Sequence, residues 1–168
     1  SIFGFINVLL TGGIGIFGAK YGLSKNWFIF KESFLPFFIG SLLLLMRRYK
    51  QGSFNKILLN DALFDNEKIG ACLRQKVQGD FEIIVRNAGN HFIFGLFISS
   101  IIQFFLASMI VVSDPGESSF NEQVATMTWV SYLAVLVPTI LIVGKGYWEL
   151  IAGMEKITGL KKEDFLKA

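Results

Sequence analysis

The chain has 168 residues, of which 52% are hydrophobic, and its mean hydropathy is +0.53. This composition is unusual for a soluble domain and points to a protein that contacts lipid. Sixteen Lys and Arg against thirteen Asp and Glu give a net charge of only +3, too little for strong direct nucleic-acid binding, which depends on neutralising phosphates. The single cysteine, Cys72, excludes an intramolecular disulfide and a cysteine-based zinc site, and we expect no metal or other cofactor.

The first segment, residues 1–19, carries no charged side chain and is long enough to cross a hydrocarbon core as a helix. It lacks the basic start of a signal peptide, so we interpret it as a retained membrane helix. Small residues recur four apart on one face and predict close packing against another helix, although glycine is also simply frequent in membrane helices. The residues of this predicted packing face are Gly15, Gly18, Ala19 and Gly22.

A second apolar run, residues 33–46, is short for a span, but residues 27–30 extend it if Lys31 and Glu32 reach toward the headgroups. It ends at the basic residues of RRYK, residues 47–50, which favour the cytoplasmic side. Residues 1–46 are therefore predicted to form an N-terminal membrane helix or hairpin.

Residues 47–90 have the pattern of cytoplasmic amphipathic helices. One short helix is indicated by Phe54, Ile57, Leu58 and Leu63, and a longer one over 67–86 by Ile69, Leu73, Val77, Phe81 and Ile84. About forty residues cannot bury the core of a free-standing enzyme domain, so we expect this region to pack on the membrane helices or on other copies.

Residues 91–144 are predicted to form a membrane hairpin. Its first arm, 92–112, carries one amide, Gln103, and an acidic turn follows at 113–122 on the expected outer side. The second arm, 123–144, contains Pro138, which should kink the helix. Residues 145–168 mix charged and apolar residues as a cytoplasmic or interfacial helix does.

These segments predict an all-α, polytopic helical membrane protein with about four spanning helices and a small cytoplasmic helical region. Both termini and residues 47–90 would then lie on the cytoplasmic side of a bacterial inner (cytoplasmic) membrane, with short outer loops at 20–26 and 113–122. Lys20 and Lys25 would lie outside, against the usual bias, so a three-span arrangement stays open.

The chain lacks the common catalytic motifs of ATPases, zinc proteases, serine hydrolases and paired-cysteine sites. What remains is RNAGNH, residues 86–91, which contains the only histidine. Its Arg-Asn-x3-His form resembles the motif of HEPN nucleases, in which the His acts as general acid or base and the Arg steadies the phosphate charge. The alternative is that Arg86, Asn87 and His91 form the polar border of a membrane helix, capping its end and meeting headgroups.

With its size and membrane segments, the motif makes the chain similar to the membrane accessory proteins of type VI-B CRISPR systems, one branch of which carries a divergent HEPN motif. Arg86, Asn87 and His91 are the matching positions. The resemblance implies an oligomeric pore that reinforces RNA-targeting antiphage defence by compromising the membrane, with a non-catalytic motif. Its partners would be lipid, other copies of the chain and, functionally, the RNA-guided effector. The predicted hairpin at 92–144 departs from this family, because it provides more membrane-spanning sequence than a HEPN helix bundle requires.

A ring of copies would pack through the first helix and the 67–86 helix and would need polar residues along its axis. The candidates for this axis are Asn7, Thr11, Asn87, Asn90, His91 and Gln103. Two alternatives stay open: a structural subunit of a secretion or conjugation channel, and a membrane-tethered HEPN ribonuclease. A proton-driven stator is disfavoured because the predicted spans at 92–112 and 123–144 hold no interior Asp or Glu.

Overall fold

The structure is a computed structural model that describes residues 20–21, 24–73 and 78–166. In this part of the chain, 83% of the residues are helical and no β-strand is present, which confirms the all-α class. The helices are α1 Lys25–Tyr49, α2 Gln51–Leu58, α3 Asn66–Cys72, α4 Gln78–Ile110, α5 Phe120–Ala134, α6 Leu136–Thr158 and α7 Lys162–Phe165.

Three helical segments are long and apolar enough to cross a membrane: Lys25–Tyr49, Gly79–Ile110 and Phe120–Thr158. They contain the second predicted span, 33–46, and the second arm of the predicted hairpin, 123–144, and they cover the first arm, 92–112, as far as Ile110. Most of their apolar surface faces outward, since only 22%, 28% and 6% of the most apolar stretch of each is buried. Large apolar side chains that would be costly in water are thus placed where lipid would cover them.

The predicted first span, residues 1–19, lies outside the described residues. The axis candidates Asn7 and Thr11 also lie outside the described residues, as do the residues of the predicted packing face, which are Gly15, Gly18, Ala19 and Gly22.

The region between the membrane segments differs from its prediction in two places. The expected helix over 67–86 is not one helix, because Leu73 has extended backbone angles that end α3, and α4 begins at Gln78. The short helix α2 ends at Leu58, so Leu63 lies outside it and is half exposed while the next residue, Phe64, is buried. The spacing of apolar residues alone does not show whether Leu63 or Phe64 faces inward.

Helix α4 is continuous for 33 residues and passes through the boundary that the composition suggested at Asn90. The change from polar to apolar residues marks a change of surroundings for the side chains and does not require a break in the backbone. By contrast, a break does occur at Val135, between α5 and α6. Pro138 lacks the N–H that would bond the carbonyl of Ala134, the last residue of α5, which accounts for the interruption near the predicted kink.

The described residues divide into two compact units, the first drawn from 1–38 and 97–138. Its buried core is apolar and consists of Phe28, Ile29, Ala107, Val111, Phe120 and Met127. The rings of Phe28 and Phe120 meet edge to face at 5.6 Å between centroids. At one end of the unit, Lys25 donates from its backbone N–H to Asp114 Oδ1 at 2.8 Å and from Nζ to the Val112 carbonyl at 2.7 Å.

A polar contact also joins α1 and α4 inside this apolar unit. Ser100 Oγ donates to the backbone carbonyl of Ser33 at 2.7 Å, and Ser100 is almost fully buried. Pro36, also in α1, lacks the N–H that would bond the carbonyl of Glu32, the residue next to Ser33. The bond from Ser100 is to the neighbouring carbonyl, so it acts as a hydrogen bond between the two helices.

The second unit is drawn from 39–96 and 139–168. Here α2 packs on α4, with Phe54 and Leu58 against Gly89. The last described residues fold back onto the segment before α3: Phe64 forms a β-bridge with Leu166, and the Asp65 N–H donates to the Phe165 carbonyl at 2.8 Å. The largest fully buried side chains of this unit are Phe54, Leu58, Phe64, Ile69, Val85, Leu150, Met154 and Phe165. The region between the membrane-length helices also contacts α6, where the Tyr147 hydroxyl donates to the Leu58 carbonyl at 3.4 Å.

Candidate functional site

The RNAGNH motif lies in the interior of α4, so it does not cap a helix end. Arg86, Asn87 and Asn90 are exposed, whereas Ala88 and Gly89 are buried and His91 is half-buried. Residues five apart on a helix are separated by about 140° around its axis. Arg86 and His91 therefore point to different sides of α4, and the fold of one chain does not bring them together.

His91 faces α6. Its Nδ1 lies 3.0 Å from the carbonyl oxygen of Asn87, which can only accept, so the tautomer that forms this bond carries its proton on Nδ1 and leaves Nε2 as an acceptor. The same nitrogen lies 3.9 Å from Glu149 Oε2, and Glu149 Oε1 lies 3.8 Å from Lys145 Nζ. The histidine is thus one member of a small polar group shared by α4 and α6.

Gly146 makes this approach of the two helices possible. A Cβ added to Gly146 would lie 2.6 Å from the His91 Cβ and 3.3 Å from the Ala88 carbonyl oxygen. Two turns further along α6, an added Cβ at Gly153 would lie 2.8 Å from Ile84. On α4, an added Cβ at Gly95 would lie 3.0 Å from Val143. We call this contact line between α4 and α6 the glycine seam; its small residues are Ala88, Gly95, Gly146 and Gly153.

Asn90 has a different partner, on α1. Its Oδ1 accepts a hydrogen bond from Arg47 Nη1, which ties the end of α1 to α4. The predicted polar-axis residue is thus a contact between helices of the same chain, and the basic border of RRYK and the RNAGNH motif meet in the folded protein.

Comparisons with protein-family models, curated proteins and solved structures give no match.

Gln103, the remaining axis candidate, belongs to the first compact unit. It is half-buried, and its Oε1 accepts from Ser131 Oγ at 3.2 Å. This amide therefore joins α4 to α5, which is a common use of a polar side chain between membrane helices.

The sequence analysis did not predict the glycine seam or the charged residues beside it, Lys145 and Glu149. A signal was present, because Ala88 and Gly95 are seven residues apart on α4, as are Gly146 and Gly153 on α6. Small residues repeating every two turns favour close helix packing. Nothing in the sequence, however, paired these two repeats, and the positions of Glu149 and Lys145 beside His91 depend on that pairing.

The arrangement around His91 is suited to joining helices. Among the described residues, no group of three His, Cys, Asp or Glu side chains is placed to hold a metal ion. The motif's histidine is held by its own helix and by α6, while Arg86 extends outward from another side of α4. Concerted acid–base and phosphate-stabilising roles for this pair would require a second chain to supply the missing partner.

Proposed function

We propose that this chain is an oligomeric, pore-like membrane protein that compromises the bacterial inner membrane as an accessory of RNA-targeting CRISPR antiphage defence. The observation that carries the membrane part is the outward-facing apolar surface of three membrane-length helices. The CRISPR part is supported by the resemblance of RNAGNH, at Arg86 to His91, to the divergent HEPN motif of the accessory proteins.

Assembly into a ring is supported by the polar residues that α4 presents outward. Arg86, Asn87 and Asn90 are exposed, and one turn further on the same helix Phe94 is exposed as well. Polar groups at the edge of a membrane helix are favourable beside water, headgroups or another polar surface. Four spans per chain, with residues 1–19 as the first, belong to this proposal.

In this proposal the motif acts through packing and polarity. His91 and Asn90 join α4 to its neighbours, and Arg86 remains available outside the bundle. The protein would have lipid and its own copies as direct partners, and the RNA-guided effector as a functional one.

The proposal is tested by expressing the protein in bacterial cells and measuring uptake of a membrane-impermeant dye, then measuring its mass in detergent. We expect dye uptake above that of cells with an empty vector, and a discrete oligomer. Arg86→Ala and His91→Ala should reduce uptake, whereas Lys156→Ala, at an exposed position near the end of α6, should not.

Three results would contradict it. Monomers at every protein concentration would remove the ring, and dye uptake equal to the empty vector would remove the pore. Cleavage of labelled RNA by the purified protein, lost in Arg86→Ala and in His91→Ala, would instead assign a membrane-tethered HEPN ribonuclease.

A further inference from the structure

The second compact unit contains a level at which its surface changes from apolar to charged. Tyr49 and Trp148 are both about three-quarters exposed. Tyr49 lies within one turn of Arg47, which bonds Asn90, and Trp148 lies within one turn of Gly146, which contacts His91. The two aromatic side chains are therefore at the same height along α4, as in the aromatic belt of a membrane–water interface.

Most of the exposed large apolar side chains of this unit lie on one side of this level, while Ile57, Leu63 and Ile83 are exposed on the other. The former include Leu42 and Leu45 on α1, Phe94 on α4 and Leu141 on α6. Exposed charged side chains lie at the level itself and on its other side, where α1 ends and α2 begins. The level of Asn90 is thus where phosphate headgroups would meet the protein.

Basic residues from two separate parts of the sequence lie within about one helical turn of this level. Arg48 follows Arg47, and the backbone of Lys50 accepts from Phe54, the residue that packs on Gly89. Arg86 lies one turn before Asn90 on the same face of α4, about 6 Å along the helix. The Arg47–Asn90 hydrogen bond holds the two groups of charges together.

Within the described ranges, no ion pair engages Arg48, Lys50 or Arg86, and all three are exposed. The nearest acidic residue along α4 is Glu82, one turn before Arg86, and Glu149 on the other side of α4 is taken up by Lys145 and His91. The position of Arg47 and Arg48 in the last turn of α1 also suits the helix dipole, but that accounts for neither Lys50 nor Arg86.

We propose that Arg48, Lys50 and Arg86 form a binding site for the phosphate headgroup of an anionic lipid, with Arg47 positioned by Asn90 at its edge. Arginine and lysine at headgroup height are attracted to anionic lipids, and guanidinium groups match phosphate geometry. In this role Arg86 of the HEPN-like motif binds lipid phosphate. The inference does not depend on pore activity.

The test is native mass spectrometry of the full chain purified in mixed micelles that contain phosphatidylglycerol or phosphatidylcholine at equal mole fraction. We expect preferential retention of phosphatidylglycerol by the wild type. In the triple variant Arg48→Gln, Lys50→Gln, Arg86→Gln, its apparent affinity should fall about fivefold per charge removed, because one basic residue near an anionic surface contributes about 1 kcal/mol.

A matched control removes three exposed charges elsewhere in the same unit: Lys156→Gln, Lys161→Gln, Lys162→Gln. This variant should retain phosphatidylglycerol as the wild type does. The charge-preserving Arg48→Lys, Arg86→Lys should lose less affinity than the triple glutamine variant, because the charge stays while the guanidinium geometry is lost. If the triple glutamine variant does not fold, single Lys50→Gln carries the comparison.

Equal retention of the two lipids by the wild type would overturn the proposal, as would equal loss in the two triple variants. A third arm adds inorganic phosphate. Displacement of the lipid by millimolar phosphate, with equally tight binding of phosphate itself, would assign the site to the free anion and overturn the lipid assignment.

Discussion

Gly146 of α6 lies directly against His91 of α4, with room for a hydrogen but not for a methyl group. A Cβ there would meet the His91 Cβ, which is fixed to the backbone, and would also crowd the Ala88 carbonyl oxygen. Neither obstacle can be relieved by rotating a side chain. At this level, the close approach of α4 and α6 therefore depends on Gly146.

Gly146→Ala should lower the free energy of unfolding by about 1–3 kcal/mol, since overpacking a tight contact costs that much. The matched control is Gly144→Ala on the same helix, where an added Cβ meets no atom within 4 Å. That change should leave stability unaltered or raise it by about 0.4–1 kcal/mol through the unfolded chain. Unfolding in detergent, followed by circular dichroism, measures both. Equal stabilities of the two variants would show that the seam is looser than described.

Gly89→Ala should displace α2 from α4. An added Cβ would lie 2.6 Å from the ring of Phe54, which is almost fully buried and has little room to turn. We expect faster proteolysis at the exposed turn of residues 60–63, measured by limited digestion and mass spectrometry. Gly52→Ala, in α2 itself and with no atom within 4 Å of its added Cβ, should digest as the wild type does. Identical digestion of Gly89→Ala would contradict the packing of α2 on this glycine.

Phe165→Ala should release the last described segment from the segment before α3. The Phe165 ring is fully buried, and removing a buried phenyl group costs about 3–5 kcal/mol. Amide hydrogen exchange over residues 64–72 should accelerate, because the Phe64–Leu166 bridge and the Asp65–Phe165 hydrogen bond open together. Leu63→Ala, at a half-exposed position beside the bridge, should leave exchange nearly unchanged. Slow exchange in both variants would mean that the bridge does not depend on the phenyl ring.

Ser100→Ala should weaken the contact between α1 and α4 in the first unit. Hydrogen bonds between membrane helices contribute on average about 0.6 kcal/mol and at most about 1.7 kcal/mol. The control is Ser108→Ala, since the Ser108 hydroxyl is exposed and donates to a carbonyl of its own helix, Phe104, at 2.7 Å. Only the first variant should lose stability in a detergent unfolding titration. A loss in Ser108→Ala as large as in Ser100→Ala would show that the effect is not specific to the interhelical bond.

The membrane segments were predictable because their signal is local. The apolar runs at 27–30 and 33–46 predict the membrane-length helix α1, and the acidic turn at 113–122 predicts the reversal between α4 and α5. Pro138 likewise predicts a disturbed helix because it lacks a backbone N–H, and the helix is interrupted three residues earlier, at Val135.

The neighbours of His91 could not be predicted in the same way. Its contacts with Gly146 and Glu149 join residues more than fifty positions apart and depend on the register of two long helices. The continuity of α4 was missed for another reason: side-chain polarity changes near Asn90, while the backbone meets neither proline nor a capping turn there. Side-chain composition indicates whether a segment faces water or an apolar environment, whereas the end of a helix depends on its backbone hydrogen bonds.

The glycine seam also limits how α4 and α6 can move during any gating transition. Sliding one helix past the other by a single turn would bring Leu150 or Ile142 opposite His91 in place of Gly146, and neither side chain fits the space that a glycine leaves. Within the second unit, α4 and α6 must therefore move together as a rigid pair. Any opening motion would have to change their contacts with the other helices of the unit.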